Sequence, residues 1–470
     1  MCIVSVRDFG AIGDGDHDDG PAIQAAIDHV LATRGELYFP PNRLGKSYRI
    51  EAPLRVGGPI SIRGAGAMAV EILAAGLEAG QYVMDFYRTV RVEHVRLSGF
   101  TLRSDNGLPS ALHLDGAVLL SARDLRYYNV RHGCVLEGDS SIGTFSHHYD
   151  SINATGIAGS TVLFAAGFQG GGNFHFASCT FAGDRGLAIM PTAITDGIVL
   201  TGCNFEGCET NSLYVGGSCR GLTLAGCRTE AAPARDVRIA PAAGEKVEGI
   251  AITGCTFTGL GGASTPITLG GGGGTVRGFG ITGNQVEYAG MGGAFVQLDD
   301  EGESGLIAGN RFAQADTIPT NLRRPGVVQF ANENGLGRCE EYWGEALWGV
   351  EEGTFTPVDA SGAGLVLSGA GRYTRIGRTL LWQAFLQYPD TSSTAHCAIG
   401  GLPFAVSQDV LNLGRAGASC SASNSGLALG VLQGMSAPTH LDLVNPATGA
   451  AIANTAMASR YAYISGTYMI

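Results

Sequence analysis

The stretch LTGCNFEG at residues 200–207 returns as LAGCRTEA at 224–231 and as ITGCTFTG at 252–259. In each copy a Gly precedes the fourth residue, Cys203, Cys227 or Cys255, and Phe205 and Phe257 follow two places later. The same frame holds in LSGFTL (97–102), FASCTFAG (176–183), ITGNQVEY (281–288) and IAGNRFAQ (307–314), and more weakly in LRYYNV (125–130) and YDSINATG (149–156). Taking the fourth residue of each as reference gives Phe100, Tyr128, Ile152, Cys179, Cys203, Cys227, Cys255, Asn284 and Asn310, at spacings of 28, 24, 27, 24, 24, 28, 29 and 26.

A period of this size marks a solenoid. Alternation such as Ile250-Ala251-Ile252 marks strand rather than helix. A second strand keeps the same period through Val162, Leu187, Leu213, Val237, Ile267 and Val296. Residues one period apart then stack like neighbouring strands, ~4.8 Å apart. The Cys/Asn column reads as small buried groups at a bend, with Asn side chains able to hydrogen-bond from coil to coil. The fold expected is all-β: a right-handed parallel β-helix with a short N-terminal capping helix and a C-terminal β-sandwich-like domain. Its divisions are 1–50 (cap and entry), 51–314 (β-helix), 315–350 (neck) and 351–470 (C-terminal β domain).

Composition agrees. The chain has 470 residues, too many for one ordinary compact core. Its 73 glycines keep no three-residue period, which excludes collagen, and 45% hydrophobic residues argue against disorder. A formal net charge of −12 with no basic stripe argues against a nucleic-acid partner. No apolar run reaches the roughly 18–20 residues of a membrane span. The start, MCIVSVRDFGAIGDGD, lacks a basic region followed by an apolar one, so no signal peptide is expected. Eleven cysteines, without zinc-finger spacing, read as reduced and buried.

The N-terminal segment VRDFGAIGDGDHDDGPAIQAAID (6–28) has its own logic. Gly10, Gly13 and Gly15 allow turns, Asp18 and Asp19 offer carboxylates ahead of a helix, and Pro21 suits its first turn. Ile23, Ala26, Ile27 and Val30 form one apolar face, and Gly35 ends the helix before the strand from Glu36. The segment, with LYFPP (37–41) and YRI (48–50), resembles the start of the pectate-lyase-like β-helix superfamily, which includes many phage tailspikes. The resemblance implies the fold but no activity, because the superfamily holds lyases, hydrolases, epimerases and inactive binders.

The order GTFTP (353–357), GRYTRIGR (371–378) and GLPF (401–404) resembles C-terminal domains of phage tail fibres and tailspikes. Leu380, Trp382, Phe385 and Leu402 are expected in its core. Such domains trimerise and in some cases bind carbohydrate. The resemblance implies a homotrimer on a virion tail, in company with other tail proteins and without membrane insertion.

The period turns sequence into surface. Positions four and two before the reference should point outward. This places Asp124, Arg126, His148, Asp150 and His175 in one patch on three adjacent coils, with His148 and Asp150 as candidate acid and base. Three places after the reference, the column runs Arg103, Arg131, Thr155, Ala182, Glu206, Glu230, Thr258, Glu287. Glu206 and Glu230 should stand on adjacent coils, a carboxylate pair of the kind glycoside hydrolysis needs, with Glu209 close in sequence and Arg131 on the substrate side. No metal or cofactor is expected, since no calcium-ligand cluster stands out on the outward columns. The function expected is that of a tailspike-like protein that binds and depolymerises bacterial surface polysaccharide. The alternatives are a receptor-binding adhesin without chemistry and a free-standing polysaccharide lyase or epimerase.

Overall fold

A computed structural model describes residues 2–42, 45–87, 91–139, 141, 143–230, 236–259, 265–288, 294–299, 304–313, 317–321, 327–334, 337–338, 350–376, 379–404, 417–424, 430–433, 440–445, 448 and 450–469. The chain divides into two compact units, Met1–Glu341 and Tyr342–Ile470.

The first unit is a parallel β-solenoid of about ten turns. One ladder climbs through Ser61–Gly64, Arg96–Ser104, Ala117–Val130, Phe145–Asp150, Gly171–Ala177, Ile194–Thr201, Ser218–Ala225, Lys246–Thr253, Thr275–Thr282 and Ser304–Ala308. A second aligns Met84, Leu112, Cys134, Val162, Leu187, Leu213, Val237, Ile267 and Val296. A third carries Arg126–Asn153–Thr180–Asn204–Arg228–Thr256–Gln285–Arg311.

The bend between the first and third ladders has one backbone cause. Gly99, Asp124, Ser151, Ser178, Gly202, Gly226, Gly254, Gly283, Gly309 and Ala331 all sit at φ between 50° and 72°. The residue after each of these turns inward. Gly is the cheapest occupant of that conformation, and Asp is among the few others that visit it readily. The inward residue of the second coil in this series is therefore Leu125, which pairs with Phe100, and the reference assigned to Tyr128 is corrected by three places.

Ladder register stacks like on like inside. Tyr149 lies on Phe176 at 4.6 Å and Phe181 on Phe205 at 4.8 Å between ring centroids. Each such buried ring stabilises by roughly 1.5–3 kcal/mol. The Asn column forms a continuous chain. Asn310 Nδ2 donates to Asn332 Oδ1 at 2.9 Å and Asn284 Nδ2 donates to Asn310 Oδ1 at 2.9 Å. Asn332 extends the column beyond the point where the sequence repeat fades, and Val327–Phe330 adds another strand to the first ladder. The thiols of Cys203, Cys227 and Cys255 donate to the carbonyls of Phe176, Leu200 and Leu224.

A helix, Gly20–Thr33, packs Ile23, Ala26, Ile27 and Val30 onto the first coils. Asp19 does not cap it; its buried carboxylate accepts from Ile12 N at 2.6 Å and Gly13 N at 3.0 Å, tying down the preceding loop. The helix ends at Arg34, which takes the left-handed conformation, rather than at Gly35. No helix among the described residues is long and apolar enough to cross a membrane.

Among the described residues the second unit forms a nine-stranded antiparallel sheet. Its strands run in the order Val350–Phe355, Ser368–Ile376, Thr379–Gln387, Tyr461–Met469, Gly417–Ser423, Gly430–Gln433, Leu441–Val444, Ala398–Gly400, Val358–Asp359. Leu380, Trp382 and Leu386 fill its core with Ile399, Leu441 and Ile464, and Leu402 packs at its edge. Phe385 has the opposite parity to Leu380 and Trp382. It therefore lies on the outer face beside Tyr461 and Tyr463, which corrects the expectation that it is core.

Candidate functional site

Three outward surfaces of the solenoid gather chemically active side chains. On the first ladder, His148 pairs with His175, and their rings stack at 5.0 Å. Asp150 pairs with Arg123 in register, and Arg123 Nε lies 3.2 Å from Asp150 Oδ2. Asp124 and Arg126 do not join this patch. The three-place correction puts Ser121 and Arg123 there instead, because an odd shift along a strand swaps faces. Asp124 sits in the bend, where its Oδ2 accepts from Ala67 N at 3.2 Å.

The third ladder carries two parallel outward columns. One reads Arg126, Asn153, Thr180, Asn204, Arg228, Thr256, Gln285 and Arg311; the other includes Arg103, Tyr128, Thr155, Glu206, Glu230, Thr258 and Glu287. Tyr128 takes the place expected for Arg131, which lies exposed past the strand end, its N–H bonded to Pro109 O. Across these columns, residues two apart face the same way and hold one another. Arg228 Nη1 lies 2.6 Å from Glu230 Oε1, the Gln285 amide donates to Glu287 Oε1, and Asn204 Nδ2 reaches Glu206 Oε2 at 3.5 Å.

Glu206 and Glu230 are register partners on adjacent coils, which sets their backbones ~4.8 Å apart. Both sit on an outward face, Glu206 exposed and Glu230 half-buried. Glu209 is exposed but separated from Glu206 by the left-handed Gly207, which turns the chain between them.

A third cluster escaped the sequence reading. His113 Nδ1 bonds Asp85 Oδ1 at 2.7 Å, His113 Nε2 lies 3.3 Å from Glu137 Oε2, and the Tyr82 ring stacks on the imidazole at 4.2 Å. Burial works against a charge here, but the Asp85 and Glu137 carboxylates outweigh it and raise the His113 pKa to about 9. Burial, helped by the same carboxylates, pushes the Tyr82 hydroxyl up to about 12. Asp115 and Glu137, also register partners, line an open recess of about 260 Å³ with Asp139 and Phe168. Tracing the second column back from Val162 through Cys134, Leu112 and Met84 would have aligned Asp85 with His113. No group of three or more His, Cys, Asp or Glu among the described residues is arranged to hold a metal ion.

Residues 3–104 match the family model described as rhamnogalacturonase A/epimerase, pectate lyase-like. Over 65 residues the chain is 42% identical to the tail spike protein of Shigella phage Sf6, a stretch that covers 13% of this chain and 10% of that protein. The match thus spans about a tenth of that relative's length. Among solved structures, the chain is similar to tailspike gp49 of Acinetobacter baumannii bacteriophage Fri1, described as a capsular polysaccharide depolymerase. The TM-score is 0.52 at 12% identity, over 99% of this chain and 86% of that one. It is also similar to PfbA, a surface adhesin of Streptococcus pneumoniae, with a TM-score of 0.58 at 13% identity over 74% of this chain and 96% of that one. At these identities the structural likeness establishes the parallel β-solenoid fold.

Proposed function

We propose that this chain is a tailspike-like protein that binds and hydrolyses a bacterial surface polysaccharide, with Glu206 and Glu230 as the carboxylate pair. The observation that carries the reading is their pairing across one coil, with a guanidinium on Glu230 alone of the two. Arg228 sets its cation against Glu230, which serves in this reading as the base or nucleophile of the pair. Glu206, held only by an amide contact, supplies the proton to the glycosidic oxygen. Water or Glu230 itself then attacks the anomeric carbon, the choice following from the carboxyl separation once substrate is bound.

The polar columns on either side suit an extended polymer. They present Arg, Asn, Gln, Thr, Tyr and Glu at one coil per step, so successive sugars meet successive rungs. The exposed His148–His175 stack with Asp150 and Arg123 adds a second polar strip on the neighbouring face. In this reading the chain acts on a phage tail as a homotrimer, alongside other tail proteins. The likeness to the tail spike protein of phage Sf6 and to the Fri1 tailspike supports the phage-tail part of this reading.

The second reading, binding without chemistry, has its own support, since a solenoid of the same fold is described as an adhesin. One experiment separates the two. Purified protein is incubated with capsule and lipopolysaccharide preparations, and new reducing ends and unsaturated-uronate absorbance are followed. Hydrolysis gives reducing ends without the absorbance, and Glu206→Gln or Glu230→Gln abolishes them. Absorbance would point to a lyase. Retained binding with neither product would leave the adhesin.

A further inference from the structure

Arg126 is a cation without a counter-charge. Among the described residues no carboxylate lies within ion-pair distance of it, and its buried Nε has no hydrogen-bond partner. The nearby carboxylates are committed elsewhere, Asp124 to the Ala67 backbone and Glu71 to Arg103 Nη1 at 3.0 Å. What Arg126 does have is an aromatic support. Its guanidinium lies over the Tyr128 ring, 4.9 Å from the centroid, and Nη1 meets only the weak acceptor Met68 Sδ at 3.8 Å. Arg103 lies over the same ring at 5.4 Å.

A guanidinium packed over an aromatic ring, with a thioether as the acceptor of Nη1, keeps its terminal N–H groups available to an incoming oxyanion. Its fork matches a carboxylate or phosphate in two-point contact. Asn153, exposed and in register with Arg126 on the next coil, supplies an amide beside it, and the half-exposed Tyr128 offers an aromatic surface to a sugar ring.

We infer that Arg126, Tyr128, Arg103 and Asn153 form a subsite for an acidic sugar, bound through its carboxylate or phosphate oxyanion. This deepens the reading of the third face as a glycan track and rests on it. The subsite shares the outward columns of Glu206, three coil steps away through Asn153, Thr180 and Asn204, or about 14 Å. A bound polymer would thus present its charge at Arg126 while a linkage further along meets the carboxylate pair.

The test titrates the full chain with glucuronate, glucose 6-phosphate and glucose, read by calorimetry or ligand-observed NMR. At least one anion should bind tenfold or more tightly than glucose. Preference for glucuronate alone names a uronate, and preference for glucose 6-phosphate alone names a phosphorylated sugar. Arg126→Gln should bring all three within about twofold, and Arg126→Lys should keep part of the preference because the charge survives without the fork. Asn153→Asp, which sets a carboxylate beside Arg126 from another strand, should quench the preference without touching the arginine. Equal binding of all three sugars, or a preference that survives both Arg126→Gln and Asn153→Asp, overturns the subsite. Neither outcome depends on cleavage. Loss of the depolymerase reading would show instead as no product release from the parent protein, and loss of the carboxylate pair as unchanged release in Glu206→Gln and Glu230→Gln.

Discussion

Glu206 and Glu230 stand opposite one another on adjacent parallel strands, and Arg228 Nη1 sits 2.6 Å from Glu230 Oε1. The Arg228 side chain is 57% exposed, so as a stability element the pair contributes little, within ~1 kcal/mol. Its effect should appear in turnover. Arg228→Gln is expected to lower kcat by roughly tenfold to a hundredfold while the melting temperature stays put. A fall in melting temperature with unchanged kcat would make the pair structural.

The His113 cluster predicts a pH dependence of stability. Its pKa of about 9 lies above the unfolded value of 6.5, so the folded state holds the proton more tightly. The stabilisation is complete below about pH 6.5 and is lost as pH rises through 9, amounting to roughly 3 kcal/mol. His147 behaves oppositely. Burial lowers its pKa to about 4, so its contribution is present above 6.5 and lost as pH falls toward 4. His113→Gln should therefore flatten the alkaline limb of melting temperature against pH and leave the acid limb in place. An unchanged alkaline limb would remove His113 from the account.

These two sites differ in how visible they were in the sequence. Glu206 and Glu230 could be paired by counting, because Gly202 and Gly226 mark the bends of two coils of equal length. The patch around Asp124 and Arg126 could not. There the left-handed slot holds Asp124 instead of Gly, so nothing in LRYYNV distinguishes Leu125 from Tyr128 as the inward residue. A slip of three residues then exchanged the buried and exposed faces of one strand. The Asp85–His113 pair is hidden for a different reason. The period of the second column is plain only from Val162 onward, because its earlier rungs at Cys134, Leu112 and Met84 share no residue type. In the C-terminal sheet, Phe385 looked like core because aromatic residues usually are, and only strand parity against Trp382 decides otherwise.

The cysteine column predicts selective thiol reactivity. Cys179, Cys203, Cys227 and Cys255 are buried free thiols on consecutive coils, and Cys2 is exposed. A thiol reagent applied to the native protein, with labelled peptides mapped by mass spectrometry, should modify Cys2 first. The four column residues should react only once denaturant opens the coils. Similar rates at Cys2 and Cys203 would mean that the column is open to solvent.

The Asn column predicts where the solenoid first gives way. Asn310 Oδ1 accepts from Asn284 N at 3.0 Å and Asn284 Nδ2 at 2.9 Å, and its Nδ2 donates to Ile281 O and Asn332 Oδ1, both at 2.9 Å. Truncation to Ala strands several of these buried groups at ~1–3 kcal/mol each, so Asn310→Ala should cost about 3 kcal/mol or more. In a solenoid each coil leans mainly on its neighbours, so the loss should stay local. Limited proteolysis of Asn310→Ala is expected to cut within the strands Thr275–Thr282 to Val327–Phe330 while Gly171–Ala177 stays protected. Cleavage spread evenly along the solenoid, or a melting temperature equal to the parent's, would show that the Asn chain does not hold these coils together.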